Sequence, residues 1–287
     1  MTTTSTALND IFKATLSENE FKRLSTYIFN EYGIKMPPVK KIMLQSRLQK
    51  RLRELQMNNF KDYVEFVFSE EGQANEVIHM IDVVSTNKTD FFREPIHFDF
   101  LKSVILPEID ATQTAVRPVK IWSAGCSSGE EPYTIAMTMA EFQEKYPEID
   151  YQILATDISS RILKTALEAI YKESRAELIP MSLKKKYLLK SKDRVNPSVR
   201  IVPELRKKVT FQRLNFMEHS YNVSETFDVI FCRNVLIYFD RETQEKVINR
   251  LCTKLKPGGY FFLGHSESIT NINVPLRQIR PTIFQRI

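Results

Sequence analysis

Five short apolar runs, Val119–Ala124, Tyr151–Thr156, Val209–Leu214, Phe227–Cys232 and Tyr260–Leu263, constrain this chain more than any other feature. Their hydrophobic residues are continuous rather than alternating, as a strand covered on both faces requires, and helical stretches separate them. That alternation describes an α/β domain whose parallel sheet carries helices on each side. Lys256-Pro-Gly-Gly259 reads as a helix-ending turn into the fifth run. Leu276–Arg280 and Thr282–Ile287 read as a closing antiparallel hairpin around Pro281, bringing the sheet to seven strands.

The first run leads directly into chemistry. Ile121-Trp-Ser-Ala-Gly-Cys-Ser-Ser-Gly-Glu-Glu-Pro-Tyr133 is a strand, a turn of small residues, and a helix opened by two acids and a proline. The second run ends at Asp157, where a nucleotide half-site places the carboxylate that accepts from ribose hydroxyls. Only Gly125 and Gly129 are present, without the close glycine spacing that a pyrophosphate needs. A ligand with a ribose and no phosphate fits this turn better, and S-adenosylmethionine is the commonest of that kind.

The front of the chain reads as helical. Ser17-x-x-Glu20 is a capping box ahead of Phe21, Leu24, Ile28 and Phe29 at helical spacing. Leu44, Leu48, Leu52 and Leu55 mark a second helix begun by Pro37-Pro38, with Lys40, Arg47, Lys50 and Arg51 as a basic arc beside the leucine stripe. Phe60–Phe68 and Glu76–Val84 complete the bundle. The chain is expected to divide into a flexible tail (1–16), a helical domain (17–88) and an α/β domain (89–287). A small antiparallel insertion is expected over about 184–207, where β-branched pairs and turn residues interrupt the alternation.

Composition sets bounds on function. No apolar run approaches the roughly 20 residues of a membrane span, and the Thr/Ser-rich start has no signal-peptide pattern. Cys126, Cys232 and Cys252 are odd in number and read as free thiols of a reducing cytoplasm. His79, His97, His219 and His265 are scattered, so no metal is expected. The net charge is +6, and residues 20–60 hold nine Lys/Arg against three Glu.

Together, Thr86-Asn-Lys-Thr-Asp-Phe-Phe-Arg-Glu94, Ser127-Ser-Gly-Glu-Glu-Pro-Tyr133, Phe231-Cys-Arg-Asn-Val-Leu-Ile-Tyr-Phe-Asp240 and Leu255-Lys-Pro-Gly-Gly259 followed by Gly264-His-Ser-Glu267 resemble the CheR family, the chemotaxis receptor glutamate methyltransferases. The resemblance runs from about residue 17 to the end. It implies a class I S-adenosylmethionine-dependent methyltransferase fold, a Rossmann-like seven-stranded sheet with an N-terminal all-helical domain and a small antiparallel β insertion. Carried over by motif, Asn87, Thr89 and Arg93 would border the methionine end of the cofactor. Ala124, Glu130 and Asp157 would contact it, with Asp157 on the ribose. Asn215 and Phe216 would lie at the adenine, and Arg233 and Asn234 near the sulfonium. Arg93 and Tyr238 would form the transfer site. Lys40, Arg47, Lys50 and Arg51 would meet the substrate. The insertion resembles the family's β-subdomain, but Ser191–Val202 is glycine-free where tail-gripping members are glycine-rich.

The resemblance implies transfer of a methyl group to glutamate side chains in the cytoplasmic helical region of chemotaxis receptors, giving 5-O-methyl esters and S-adenosylhomocysteine. It further implies a cytoplasmic monomer recruited to receptor arrays, with no nucleic-acid partner and no membrane insertion. A glutamate carboxylate is ionised at neutral pH, so this transfer requires no general base. Three other readings are weighed against it. Amino-directed nucleic-acid methyltransferases usually carry Asn/Asp-Pro-Pro-Tyr/Phe after the fourth strand, where this chain has Arg233-Asn234-Val235-Leu236. A cofactor-binding sensor has no need for both Arg93 and Tyr238, and a small-molecule O-methyltransferase gains no obvious lid from the basic front domain. Taken singly, these residues have ordinary roles: glycines for close packing, Asn215 as a cap, the basic arc as a solvated face, the cysteines as small buried side chains. Their order and spacing carry the reading.

Overall fold

The structure of the protein, a computed structural model, describes residues 14–112 and 117–287. They form two compact units, one running to Thr86 and taking in Tyr238–Asp240, the other holding Asn87–Ile237 and Arg241–Ile287. The expected tail falls mostly outside the described residues. Its last part does not behave as a tail, because Leu16 is buried and its N–H donates to Gln45 Oε1 at 2.8 Å.

The helical unit is built by local signals. Helix α1 (Glu18–Tyr32) starts with the Ser17/Glu20 capping box and stops at Gly33, whose φ of 69° suits a residue without Cβ. A 3₁₀ turn at Pro38–Lys40 feeds α2 (Lys41–Glu54), which buries Leu44, Leu48 and Leu52. Asn59 caps α3 (Phe60–Phe68), Ser69 caps α4 (Glu70–Asn75), and α5 (Val77–Val84) follows.

The second unit opens with α6 (Ile96–Phe100), a π turn at Leu101–Ile105 and α7 (Leu106–Thr112). Its strands are β1 (Val119–Ala124), β2 (Tyr151–Asp157), β3 (Ile170–Lys172), β4 (Leu188–Lys190), β5 (Ser198–Ile201), β6 (Val209–Arg213), β7 (Phe227–Cys232), β8 (Leu255–Leu263), β9 (Leu276–Arg280) and β10 (Ile283–Arg286). The main sheet has the order β6-β2-β1-β7-β8-β10-β9. Its first five strands pair in parallel, and β10 and β9 add on as the antiparallel hairpin. Every residue of β7 is buried, as the continuous apolar runs require. Helices α8 (Glu130–Gln143) and α9 (Ser160–Glu168) follow β1 and β2, and α12 (Arg241–Lys254) precedes β8; α10 (Met181–Tyr187) and α11 (Pro203–Arg206) flank β4 and β5.

Two local expectations change. Lys256–Gly259 lies inside β8 rather than in a turn, and the β7–β8 register shifts between Phe227 and Val229 to accommodate it. The small antiparallel sheet, in the order β3-β5-β4, recruits Ile170–Lys172 from outside the expected insertion. Tyr171 packs edge-on against Phe91 with ring centroids 5.0 Å apart, so this sheet is anchored through its first strand.

Strand order reverses between β1 and β7, which opens a crevice at the carboxyl ends of the strands, the usual ligand site of such sheets. The segments 125–129, 158–159, 214–216, 233–235 and 264–267 all leave strand ends on that side.

Candidate active site

The turn after β1 is shaped by glycine. Gly125 has a φ of 89°, and a Cβ there would lie 2.3 Å from Val235 Cγ2. Asp157, at the end of β2, stabilises the same turn. Its Oδ2 accepts from Ser127 N–H at 2.9 Å and its Oδ1 from Ser159 N–H at 3.0 Å. Ser127 Oγ donates to the Asn87 carbonyl at 3.0 Å, tying segment 87–89 to the glycine turn. Ala124, the last residue of β1, is fully buried beneath it.

Glu130 begins α8 and is almost completely buried. Ser128 Oγ donates to its Oε2 at 2.6 Å, and Arg175 Nη2 pairs with its Oε1. The same Arg175 nitrogen donates to the Thr89 carbonyl at 2.8 Å. Burial pushes the Glu130 carboxyl above its ordinary value, against the pull of Ser128 and Arg175. Thus Asn87, Thr89, Glu130 and Asp157 are brought together, linked through Ser127 and Arg175. Arg175 comes from the turn after β3, and no motif in the sequence marks it.

Arg233 has an inward role rather than one facing a ligand. Its side chain is 2% exposed. Nη1 meets Glu131 Oε2 at 3.1 Å, while Nη2 meets Glu94 Oε2 at 3.1 Å and also donates to the Arg93 carbonyl. The guanidinium carbon sits 5.3 Å from the Phe98 ring centroid. This fixes the turn that carries Arg93, whose own Nη1 donates to the Lys88 carbonyl at 3.1 Å.

Backbone strain concentrates here. Phe92, Glu94, Ser127 and Asn234 all have positive φ, between 50° and 60°, a region disfavoured for residues with a Cβ. Asn234 is held by Glu267, whose carboxylate accepts from the N–H groups of Asn234, Val235, Leu236 and Gly264 at 2.7–2.9 Å. Gly264 is needed for that approach, since a Cβ would lie 2.2 Å from Asn234 Nδ2. Asn215 Oδ1 accepts from Met217 N–H at 3.0 Å, closing the turn after β6, and Phe216 beside it is nearly buried. Cys126 and Cys232 are buried and burial pushes their thiols well up, in keeping with small buried side chains.

The remaining expected residues lie in the helical unit. Tyr238 clusters there, its carbonyl accepting from Lys35 N–H at 2.9 Å and its ring lying 6.0 Å from Lys40 Nζ. The basic arc on α2 is divided. Lys50 is exposed, and Arg47 donates to the Val84 and Ser85 carbonyls at the end of α5. Arg51 departs from the expected substrate surface, because its guanidinium turns inward to Glu76, with Nε–Oε1 at 2.8 Å and Nη2–Oε2 at 2.6 Å. Tyr63 also donates to Glu76, at 2.9 Å. A buried Glu76 demands a cation, and Arg51 is the cation within reach.

The donor set at the strand ends fits a nucleoside without phosphates. Glu130 and Asp157 are acceptors for hydroxyl or amino groups and Asn215 is an amide, while the turn 124–129 carries no basic side chain to neutralise a pyrophosphate. Comparison with known proteins gives the same picture. Residues 87–284 match the CheR methyltransferase SAM binding domain, and residues 19–85 match the CheR methyltransferase all-alpha domain. The chemotaxis protein methyltransferase of Borreliella burgdorferi is 40% identical over 275 residues, covering 94% of this chain and 95% of its own. Chemotaxis protein methyltransferase 2 of Pseudomonas aeruginosa is 33% identical and covers 93% of each chain. The Escherichia coli chemotaxis protein methyltransferase is 36% identical, over 94% of this chain and 91% of its own. The cofactor is S-adenosylmethionine, and this chain belongs to the CheR methyltransferase family.

Proposed function

We propose that this methyltransferase esterifies glutamate side chains in the helical cytoplasmic region of chemotaxis receptors. Methyl transfer from S-adenosylmethionine in chemotaxis is the coarser activity that its family membership gives; the carboxylate acceptor is our reading. The bound cofactor supplies an electrophilic methyl carbon, whose displacement by a carboxylate oxygen leaves a neutral thioether and an ester. The acceptor is already ionised at neutral pH, so the protein's contribution is alignment rather than proton removal.

The observation that carries this reading is the turn bearing Arg93. It is strained at Phe92 and Glu94, is held from behind by buried Arg233, and adjoins the 87–89 segment tied to the glycine turn. A partly exposed guanidinium on so constrained a turn suits a carboxylate, because its planar fork can grip one oxygen and leave the other to attack. Tyr238 is proposed as the second catalytic residue. Asn87, Thr89, Ala124, Glu130, Asp157, Asn215, Phe216 and Asn234 are proposed to line the cofactor. Arg233 is reassigned to support of Arg93.

The test is transfer of labelled methyl from S-adenosylmethionine to receptor-bearing membranes, followed by mild alkali. Label released as methanol supports a carboxyl ester. Alkali-stable label would mean N- or ether methylation and would overturn the glutamate reading.

A further inference from the structure

Glu94 and His97 lie three residues apart and His265 is 171 residues from Glu94, yet each places one ligand atom within 4.8 Å of the other two. Glu94 Oε2 lies 3.6 Å from His97 Nδ1 and 3.9 Å from His265 Nε2. We propose that this cluster is a binding site for a zinc-class divalent cation, with two imidazoles and one carboxylate as ligands.

His97 is completely buried, and its Nε2 lies 2.8 Å from Thr282 Oγ1. With the Thr282 hydroxyl donating to the Pro281 carbonyl at 2.7 Å, the complementary tautomer has Nε2 donating to Thr282 and a lone pair on Nδ1. Nδ1 is buried without a hydrogen-bond partner and faces the Glu94 carboxylate oxygen. Two acceptors facing each other in a buried pocket repel unless a proton donor or cation lies between them. An imidazole whose other nitrogen donates to an oxygen is the usual arrangement of a metal-binding histidine.

Glu94 is oriented in the same way. Arg233 takes one side of Oε2 at 3.1 Å, and His265 N–H and Asn234 Nδ2 hold Oε1 at 3.2 and 3.5 Å. Arg233 is itself balanced by Glu131, so the surrounding charge does not exclude a cation. Ligands about 2.1 Å from a central ion lie roughly 3–3.5 Å apart, so the Glu94 pairs at 3.6 and 3.9 Å close with a shift of a few tenths of an ångström, and the two imidazoles, within 4.8 Å, close by rotation of the exposed His265 side chain. His265 is exposed and gives the ion a route from solvent. Nitrogen and carboxylate ligands in this ratio select transition metals over magnesium or calcium.

The test is titration of the full-length protein with Zn²⁺ against a competing chelator, with Co²⁺ as a spectroscopic substitute. One ion per chain is expected. His265→Ala, a change at an exposed position, should weaken binding by about 100-fold or more, and Thr282→Val by roughly 10–100-fold through loss of the tautomer. His219→Ala, outside the cluster, should leave affinity unchanged. Absence of stoichiometric binding to the unmodified protein would overturn the proposal, as would equal affinity in His265→Ala.

Discussion

Arg93 and Arg233 are the same residue type in opposite settings. Arg233 is enclosed by Glu94, Glu131 and the Arg93 carbonyl, whereas Arg93 is partly exposed and its Nη1 donates to the Lys88 carbonyl. If Arg93 aligns the acceptor carboxylate, Arg93→Ala should lower kcat by roughly 100-fold or more while leaving cofactor affinity intact, since loss of positioning alone costs about that much. Initial-rate kinetics beside equilibrium binding of S-adenosylhomocysteine separates the two effects, and unchanged turnover would remove Arg93 from the chemistry. Arg51 teaches a related lesson. Helical spacing puts it beside Arg47 and Lys50, but the buried Glu76, 25 residues away, draws it inward. Periodicity locates a residue on a helix face, and only the partner across the core tells whether a long side chain reaches out or back.

At the scale of elements, β1, β2 and β7 were readable because a covered sheet demands continuous apolar runs, whereas β6 is an edge strand whose apolar and polar residues alternate. Helix α1 was readable because its capping box and the helical spacing of Phe21, Leu24 and Ile28 are local signals. Strand β3 was not. Three residues carry too little pattern, and Ile170–Lys172 becomes a strand only by pairing with Ser198–Arg200. The sheet also has an acid-sensitive clamp away from the cofactor. Asp228 of β7 accepts from Arg117 at 2.9 and 3.0 Å, from Lys256 at 2.8 Å and from Lys120 N–H at 2.9 Å. Burial alone would raise its carboxyl, but these donors outweigh it and hold the group below the ordinary value. The folded state therefore binds that proton less readily than the unfolded chain. The stabilisation is complete at neutral pH and is lost as pH falls through the folded value. Asp228→Asn should cost about 2 kcal/mol at pH 7. In urea denaturation the gap from the unmodified protein should narrow below about pH 4; a gap independent of pH would show that the ionised carboxylate is not its source.

At the scale of the whole molecule, charge is uneven, with nine Lys/Arg against three Glu between residues 20 and 60 in a chain of net charge +6. If the α2 surface meets an acidic receptor stripe, association should slow as salt rises, because exposed pairs are screened over roughly 10 Å at 0.1 M. Lys50→Glu should reduce the association rate a few-fold at low salt and flatten its salt dependence, measured by surface binding to receptor fragments. An unchanged salt slope would remove Lys50 from the interface. No described helix is long and apolar enough to cross a membrane.

By itself the sequence determined the class of fold, the division into a helical front and an α/β sheet, and the family, because caps, apolar runs and contiguous motifs are local in the chain. Tertiary structure alone decided which polar groups meet. Arg233 supports Arg93 from 140 residues away, Glu94 reaches the backbone of His265 across 171, and Arg175 arrives at Glu130 from the small sheet. Buried charges must find partners wherever the folded core places them, and that pairing leaves no periodic trace in the chain.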